Sequence, residues 1–175
     1  VDVEESTLCI DSADAARKIS PRTKAIVAVD YAGQPCDYEA LNALAARFNL
    51  PIVSDACHAL GARWGDRSVG TVGTLNTFSF HPVKHITTGE GGMVTTESDE
   101  LAQRLRIFRN HGIATDLAMR ERANTHSYDM VSLGFNYRMP DILCALGASQ
   151  LRRLPHFLER RRQLAARYDQ LLSAK

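Results

Sequence analysis

Lys84 follows an apolar run, residues 75–80, that is typical of a buried strand. A lysine amine can form a Schiff base with a carbonyl where its surroundings keep it partly neutral. Three glycines come shortly after it, Gly89, Gly91 and Gly92, and glycine permits close backbone approach. Most lysines are solvated surface residues, and this glycine segment could equally be a plain hairpin turn. Both interpretations stay open for an isolated lysine.

Asp55 ends a second apolar segment, "LPIVSD". A carboxylate at a strand end can hold a proton on a pyridine nitrogen through a charge-assisted hydrogen bond, or it can cap the next turn. Asp55 and Lys84 together are more specific than either residue, because ligand crevices in α/β proteins form at strand ends. An acid for a ring nitrogen and a lysine for an aldehyde are what a pyridoxal phosphate site requires.

The elements that would position these residues alternate between apolar runs and amphipathic segments. Helices are predicted at 12–19, at 36–49 with Asp37 as N-cap, at 98–112 with Ser98 or Asp99 as cap, at 141–154, and after Pro155. Strands are predicted at the segments "TKAIVAVDYAG", "LPIVSDACHAL", "LNTFSFH" and "GGMVTT". This alternation of strands and helices indicates an α/β fold with a largely parallel sheet flanked by helices.

Composition restricts the class of protein. The chain has 175 residues, 45% of them apolar and 23% charged, with a net charge of +1. These values predict a globular protein without nucleic acid or a membrane as partner. No apolar run has transmembrane length, and the four cysteines lack zinc-ligand spacing. We therefore expect reduced thiols, a cytoplasmic location and no metal site.

Three segments resemble the hallmarks of the DegT/DnrJ/EryC1/StrS sugar aminotransferases, which are pyridoxal-phosphate enzymes of fold type I. These segments are "SDACHALGA", "FSFHPVKHITTGEGGMV" and "LGFNYRMPDILCALGASQL". The resemblance covers essentially the whole chain, and a complete member is about twice as long. It implies that residues 1–139 are the C-terminal part of the large cofactor-binding domain. Residues 140–175 would then be a helical segment leading to a small domain.

The resemblance also implies roles for five residues. Lys84 would form the Schiff base with the cofactor and move the substrate proton. Asp55 would pair with the pyridine nitrogen, His58 would lie near the ring hydroxyl, and the Ser79 hydroxyl would contact the phosphate. Asn136 would reach the phosphate of a neighbouring subunit, so that the active site would belong to a homodimer.

Structural alternatives exist for several of these residues. His58 could be a core histidine, Ser79 could merely pack, and Asn136 could be a turn residue, because asparagine tolerates left-handed backbone. Cys57 falls where the family usually places a small residue against the ring. The sequence leaves the roles of three further residues undecided: His81, His85 and Arg138.

Within the family, the segments "YAGQPCD" and "SFHPVKHITTGEGG" resemble the pseudaminic-acid branch most closely. Its members transfer an amino group, usually from glutamate, to C4 of a UDP-linked 4-keto-6-deoxy N-acetylhexosamine. A perosamine-type aminotransferase, or a non-catalytic relative that binds cofactor or nucleotide sugar, remains an alternative. Because both ends of the chain look cut, we expect this polypeptide to retain cofactor weakly and to turn over little substrate.

Overall fold

The computed structural model describes residues 1–115 and 117–173 of the chain. They form two compact units: Val1–Thr95 with Asp141–Lys175, called here the sheet unit, and Thr96–Pro140, called the middle unit. Of the helices that the structure describes, none combines the length and apolarity needed to cross a membrane.

The strands of the sheet unit are Ile26–Val29 (β1), Ile52–Asp55 (β2), Arg63–Trp64 (β3), Arg67–Ser68 (β4), Leu75–Ser79 (β5) and Gly92–Thr95 (β6). Four of them form a sheet in the order β1-β2-β5-β6. Strands β1, β2 and β5 are parallel, and β6 runs antiparallel to β5. A separate two-stranded antiparallel pair, β3 and β4, lies between β2 and β5 in sequence. The predicted α/β fold with a mostly parallel sheet is confirmed.

Two helices precede the second strand, α1 (Ser12–Lys18) and α2 (Tyr38–Phe48). The Asp37 side chain accepts the backbone N–H groups of Glu39 and Ala40, both at 3.1 Å, so the predicted N-cap of α2 is confirmed. Such a cap satisfies backbone donors that the first helical turn leaves unpaired.

The apolar core of the sheet unit has two clusters. In the first, α1 and α2 pack on β1 and β2, and Leu41 and Ile52 are almost fully buried. The second cluster contains buried side chains from β5 and from the segments that follow β2 and β5, including Phe78, Phe80 and Ile86. Leu154 from the long helix α5 (Asp141–Ser173) completes this second cluster.

Helix α5 differs from the sequence prediction, which ended one helix before Pro155 and began another after it. The structure has one helix through Pro155. A proline inside a helix costs about 3 kcal/mol. On either side of it, however, Leu154 is buried, and Phe157 and Leu158 pack against the same cluster. Burying large apolar side chains contributes about 1.5–3 kcal/mol each, which is enough to offset that cost.

The middle unit contains α3 (Asp99–Phe108) and α4 (Leu117–Arg122). The Ser98 hydroxyl accepts the Leu101 N–H at 3.3 Å, so Ser98 and not Asp99 caps α3. Phe108, the last residue of α3, packs edge-on against Phe135, with the ring centroids 5.2 Å apart. This contact joins the end of α3 to the later part of the unit.

Candidate active site

Asp55 is the last residue of β2 and lies in the middle of the parallel part of the sheet. Its backbone register partners are Val29 on β1 and Thr77 on β5. The Oδ1 atom accepts the N–H of Cys57 at 3.1 Å, which orients the carboxylate. The side chain is half-buried. Asp55 therefore lies where parallel strands end, as the sequence predicts.

Ser79 is the last residue of β5, the strand next to β2. Its hydroxyl accepts the His81 N–H at 3.3 Å. Opposite it, Gly92 begins β6, and a Cβ there would come within 2.6 Å of the Phe78 carbonyl oxygen. Only glycine allows β6 to approach β5 so closely at this point.

Lys84 lies in the loop of residues 80–91 that joins β5 to β6, called here the lysine loop. This loop is longer than the tight glycine turn that the sequence predicts, because β5 ends at Ser79. The Phe80 backbone closes it: its N–H donates to the Gly91 carbonyl at 2.8 Å, and its carbonyl accepts the Thr88 N–H at 3.0 Å. The Lys84 N–H donates to the His81 carbonyl at 2.9 Å. Lys84 is thus held on an ordered loop.

Helix α5 fixes the far side of the lysine loop. The Thr87 N–H donates to Oε1 of Gln150 at 3.4 Å. Gly147 lies so close to the loop that a Cβ would be 2.7 Å from the Thr88 methyl carbon, and Leu154 packs with Ile86. These contacts repeat at helical spacing along one side of α5. Sequence reasoning missed this role of α5, although that spacing was visible.

Positive charge gathers around the lysine loop. Burial lowers the pKa of His85, and the nearby Arg161, His58 and Lys84 lower it further. No described residue lies within hydrogen-bond distance of its buried Nδ1 atom. His85 therefore favours its neutral form.

The backbone N–H of Cys57 donates to the Asp55 carboxylate, and its thiol lies close enough to Lys84 for that charge to act on its pKa. Burial raises the pKa of the thiol to about 11, and the hydrogen bond with Asp55 acts in the same direction. The charge of Lys84 acts against this increase. The thiol therefore favours its protonated form at neutral pH.

His58 is exposed, with its ring centroid 6.1 Å from that of Tyr31. It is not a core histidine, the alternative considered for it above. Its backbone is close to the turn after β1, since a Cβ on Gly33 would lie 3.0 Å from the His58 carbonyl oxygen. The imidazole is therefore accessible at the strand-end edge.

Asn136 belongs to the middle unit, whereas Asp55, His58, Ser79 and Lys84 all belong to the sheet unit. Asn136 is exposed and pairs with Asn110 in a short antiparallel bridge. Arg138, two residues further, donates to the Asn110 side-chain oxygen at 2.8 Å. The assigned role of Asn136 in a neighbouring subunit stays a prediction.

The donor set of the sheet unit fits pyridoxal phosphate. A carboxylate and a hydroxyl lie at neighbouring strand ends, and an amine lies on the adjoining loop. We find no chemical group among these residues that would conflict with the ring, the aldehyde or the phosphate.

Comparison with known proteins gives a consistent result. The family model for the DegT/DnrJ/EryC1/StrS aminotransferase family matches residues 1–175. The uncharacterized protein MJ1066 of Methanocaldococcus jannaschii is 38% identical over 171 residues, which are 97% of this chain and 44% of that protein.

Solved structures agree in fold over nearly the whole chain. Helicobacter pylori PseC, an aminotransferase involved in the biosynthesis of pseudoaminic acid, superposes with a TM-score of 0.89 at 35% identity, covering 99% of this chain and 45% of PseC. The putative sugar aminotransferase Spr1654 of Streptococcus pneumoniae, in its PMP form, gives 0.87 at 32% identity, covering 97% and 48%.

The chain spans less than half the length of these relatives. Within that span, the family model, the sequence identity and the fold agree. The chain belongs to the DegT/DnrJ/EryC1/StrS aminotransferase family, whose enzymes use pyridoxal phosphate.

Proposed function

We propose that this chain carries the cofactor-binding centre of a nucleotide-sugar aminotransferase. The observation that carries the proposal is the placement of Asp55 and Ser79 at the ends of the neighbouring strands β2 and β5, with Lys84 on the loop that follows. Ligands bind beyond the carboxyl ends of strands in such sheets. Family membership supports the same assignment.

When bound, pyridoxal phosphate supplies an electron sink that allows an amino group to pass between two carbon skeletons. In this proposal the Asp55 carboxylate would accept a hydrogen bond from the ring nitrogen and so stabilise its protonated form. The Ser79 hydroxyl would donate to the phosphate, and His58 would lie near the ring hydroxyl. Lys84 would hold the aldehyde through its Nζ atom, and the same amine would move the substrate proton.

We further propose that the acceptor is a UDP-linked 4-keto-6-deoxy N-acetylhexosamine and that glutamate is the donor. The segments around Asp55 and Lys84 resemble the pseudaminic-acid branch, and PseC is a structural relative. To test this, the chain is loaded with cofactor and glutamate in excess, to compensate for weak cofactor retention. It is then given UDP-linked or GDP-linked keto sugar in stoichiometric amount, so that a single slow turnover is detected. Mass spectrometry of the sugar should show an amino group in place of the keto oxygen for the UDP compound. Amination of the GDP compound alone would favour the perosamine-type alternative.

The arrangement of the whole protein is also a proposal. Residues 1–139 would be part of the large cofactor-binding domain, and residues 140–175 would lead to a small domain. The enzyme would work in the cytoplasm as a homodimer, with Asn136 contacting the phosphate in the neighbouring subunit. Family resemblance supports these assignments, and Asn136→Ala should weaken cofactor binding in the dimer.

The central test is chemical trapping. The chain is incubated with pyridoxal phosphate, reduced with borohydride, digested and mapped by mass spectrometry. We expect one stable adduct, on Lys84, that the exposed-site control Lys24→Arg retains and Lys84→Arg loses. Adducts spread over Lys18 and Lys24, or no adduct at all, would contradict the proposed centre in this chain.

A further inference from the structure

The middle unit contains a cleft that the proposed centre does not use. Its volume is about 650 Å³, within the range of small-molecule sites. Four of the residues that line it are arginines: Arg106, Arg109, Arg120 and Arg138. They come from the end of α3, from α4 and from the segment before α5, so the fold brings distant parts of the sequence together. We call this the arginine cleft.

Neutral groups orient two of the four arginines, Arg120 and Arg138, without cancelling their charge. Arg120 Nη1 donates to the Thr115 carbonyl at 3.2 Å, and its guanidinium lies 5.0 Å from the Tyr128 ring centroid. Arg138 Nη1 donates to the Asn110 side-chain oxygen at 2.8 Å.

Across the described ranges 1–115 and 117–173, no carboxylate lines the cleft or forms an ion pair with these four arginines. Four like charges that share one cleft repel each other, and a bound anion would relieve that repulsion.

Helix-end electrostatics explain only part of the cluster. Arg106 lies in the last turn of α3 and Arg109 caps it, and a cation there gains about 0.3–1 kcal/mol from the helix dipole. Arg120, in contrast, reaches back to a carbonyl that precedes α4. Arg138 lies outside any helix. The negative end of α3 has roughly half a charge, which four guanidinium groups outweigh.

We propose that the arginine cleft binds the diphosphate group of the nucleotide-sugar substrate, an inference that rests on the proposed function. A diphosphate has several oxygen atoms at the spacing of a guanidinium fork, which pairs with phosphate bidentately. A dicarboxylate such as glutamate carries less charge over fewer oxygens. The cleft would thus hold the charged middle of the substrate.

The proposal is tested by calorimetric titration of the 175-residue chain with UDP, inorganic pyrophosphate, uridine and glutamate. UDP and pyrophosphate should bind, uridine and glutamate should not, and the affinity should fall as salt rises. Arg106→Gln and Arg138→Gln should each weaken UDP binding about tenfold. The matched control is Arg104→Gln on the same helix, since Arg104 pairs with Glu100 at 3.9 Å and does not line the cleft.

Circular dichroism of each variant checks that the fold is retained. Absence of UDP binding, uridine binding as tight as UDP, or an equal loss in Arg104→Gln would overturn the proposal. Pyrophosphate binding without UDP binding would also overturn it, because the nucleotide would not fit. An adduct on Lys84 without UDP binding would count against the cleft alone, whereas UDP binding without that adduct would count against the cofactor centre.

Discussion

At the scale of single residues, a buried polar group sets the position of the strand-end edge that carries Asp55. Asp30, Tyr38 and Ser54 are all fully buried. The Tyr38 hydroxyl lies 2.8 Å from Asp30 Oδ1 and 2.7 Å from Ser54 Oγ, and Ser54 donates to Asp30 Oδ2 at 3.1 Å. The Asp30 N–H donates to the Asp55 carbonyl at 3.0 Å. This network therefore ties the end of β1 to the proposed ring-nitrogen partner.

Replacement of Tyr38 by phenylalanine should destabilise the chain by about 1–3 kcal/mol, because the buried Asp30 carboxylate loses a donor that nothing else replaces. Urea unfolding measures the free energy. The control is Tyr168→Phe, whose side chain is 66% exposed, and it should change stability little. Equal effects of the two substitutions would show that the network contributes nothing.

His85 gives the stability of the chain a pH dependence. Its pKa is lowered from 6.5 in the native state, so the unfolded chain binds more protons just below that pH. The free energy of unfolding should therefore fall as pH drops below about 6.5. The charges of Arg161, His58 and Lys84 contribute to this effect, as does burial.

The variant His85→Gln should lose less stability than the wild type between about pH 7.5 and about pH 5. Urea unfolding at both pH values measures the difference. The exposed His126 provides the control substitution His126→Gln, which should leave the original pH dependence in place. A pH dependence that is identical in all three proteins would rule out His85 as its source.

At the scale of elements, the contact between α5 and the lysine loop matters most. Thr88 is fully buried, its hydroxyl donates to the Glu90 carbonyl at 2.7 Å, and its methyl group faces Gly147. Glycine in a helix normally costs about 1 kcal/mol relative to alanine. Its presence at this crossing lets the helix and the loop approach each other.

Gly147→Ala should thus destabilise the chain by about 1–3 kcal/mol, because the new methyl group overlaps that of Thr88. The double variant Gly147→Ala with Thr88→Ser removes the opposing methyl group and keeps the hydroxyl. It should recover most of the loss in urea unfolding. If Gly147→Ala alone proves stabilising, helix propensity dominates and the contact is looser than the structure indicates.

At the scale of the whole molecule, the last turns of α5 expose an apolar stripe. The stripe consists of Leu164, Tyr168, Leu171 and Leu172, which are 40–67% exposed and repeat at helical spacing. Contiguous apolar surface of this kind promotes association. The chain should consequently self-associate as its concentration rises.

Sedimentation velocity measures that association. The double variant Leu164→Gln with Leu171→Gln should shift the chain toward monomer. Arg162→Gln with Asp169→Asn alters exposed residues on the opposite side of the helix, and it should leave association unchanged. A monomeric wild-type chain at all concentrations would contradict the prediction.

The amino-acid sequence alone determined the α/β class, most element positions and the cap Asp37, and it narrowed the cap of α3 to Ser98 or Asp99. These depend on periodicity and on hydrogen bonds between residues a few positions apart, which are readable locally. It also placed Asp55 at a strand end, and Ser79 on a strand. The three motifs around Asp55, Lys84 and Asn136 were together specific enough to indicate the family.

Tertiary structure decided the rest. It alone shows that Asp55 pairs in register with Thr77 and that the lysine loop packs against Gly147. It also shows that α5 continues through Pro155. It also gathered the four arginines of the arginine cleft from separate segments. Each of these features depends on packing between residues far apart in the chain, where burial energies of a few kcal/mol outweigh local preference. No local pattern contains that information.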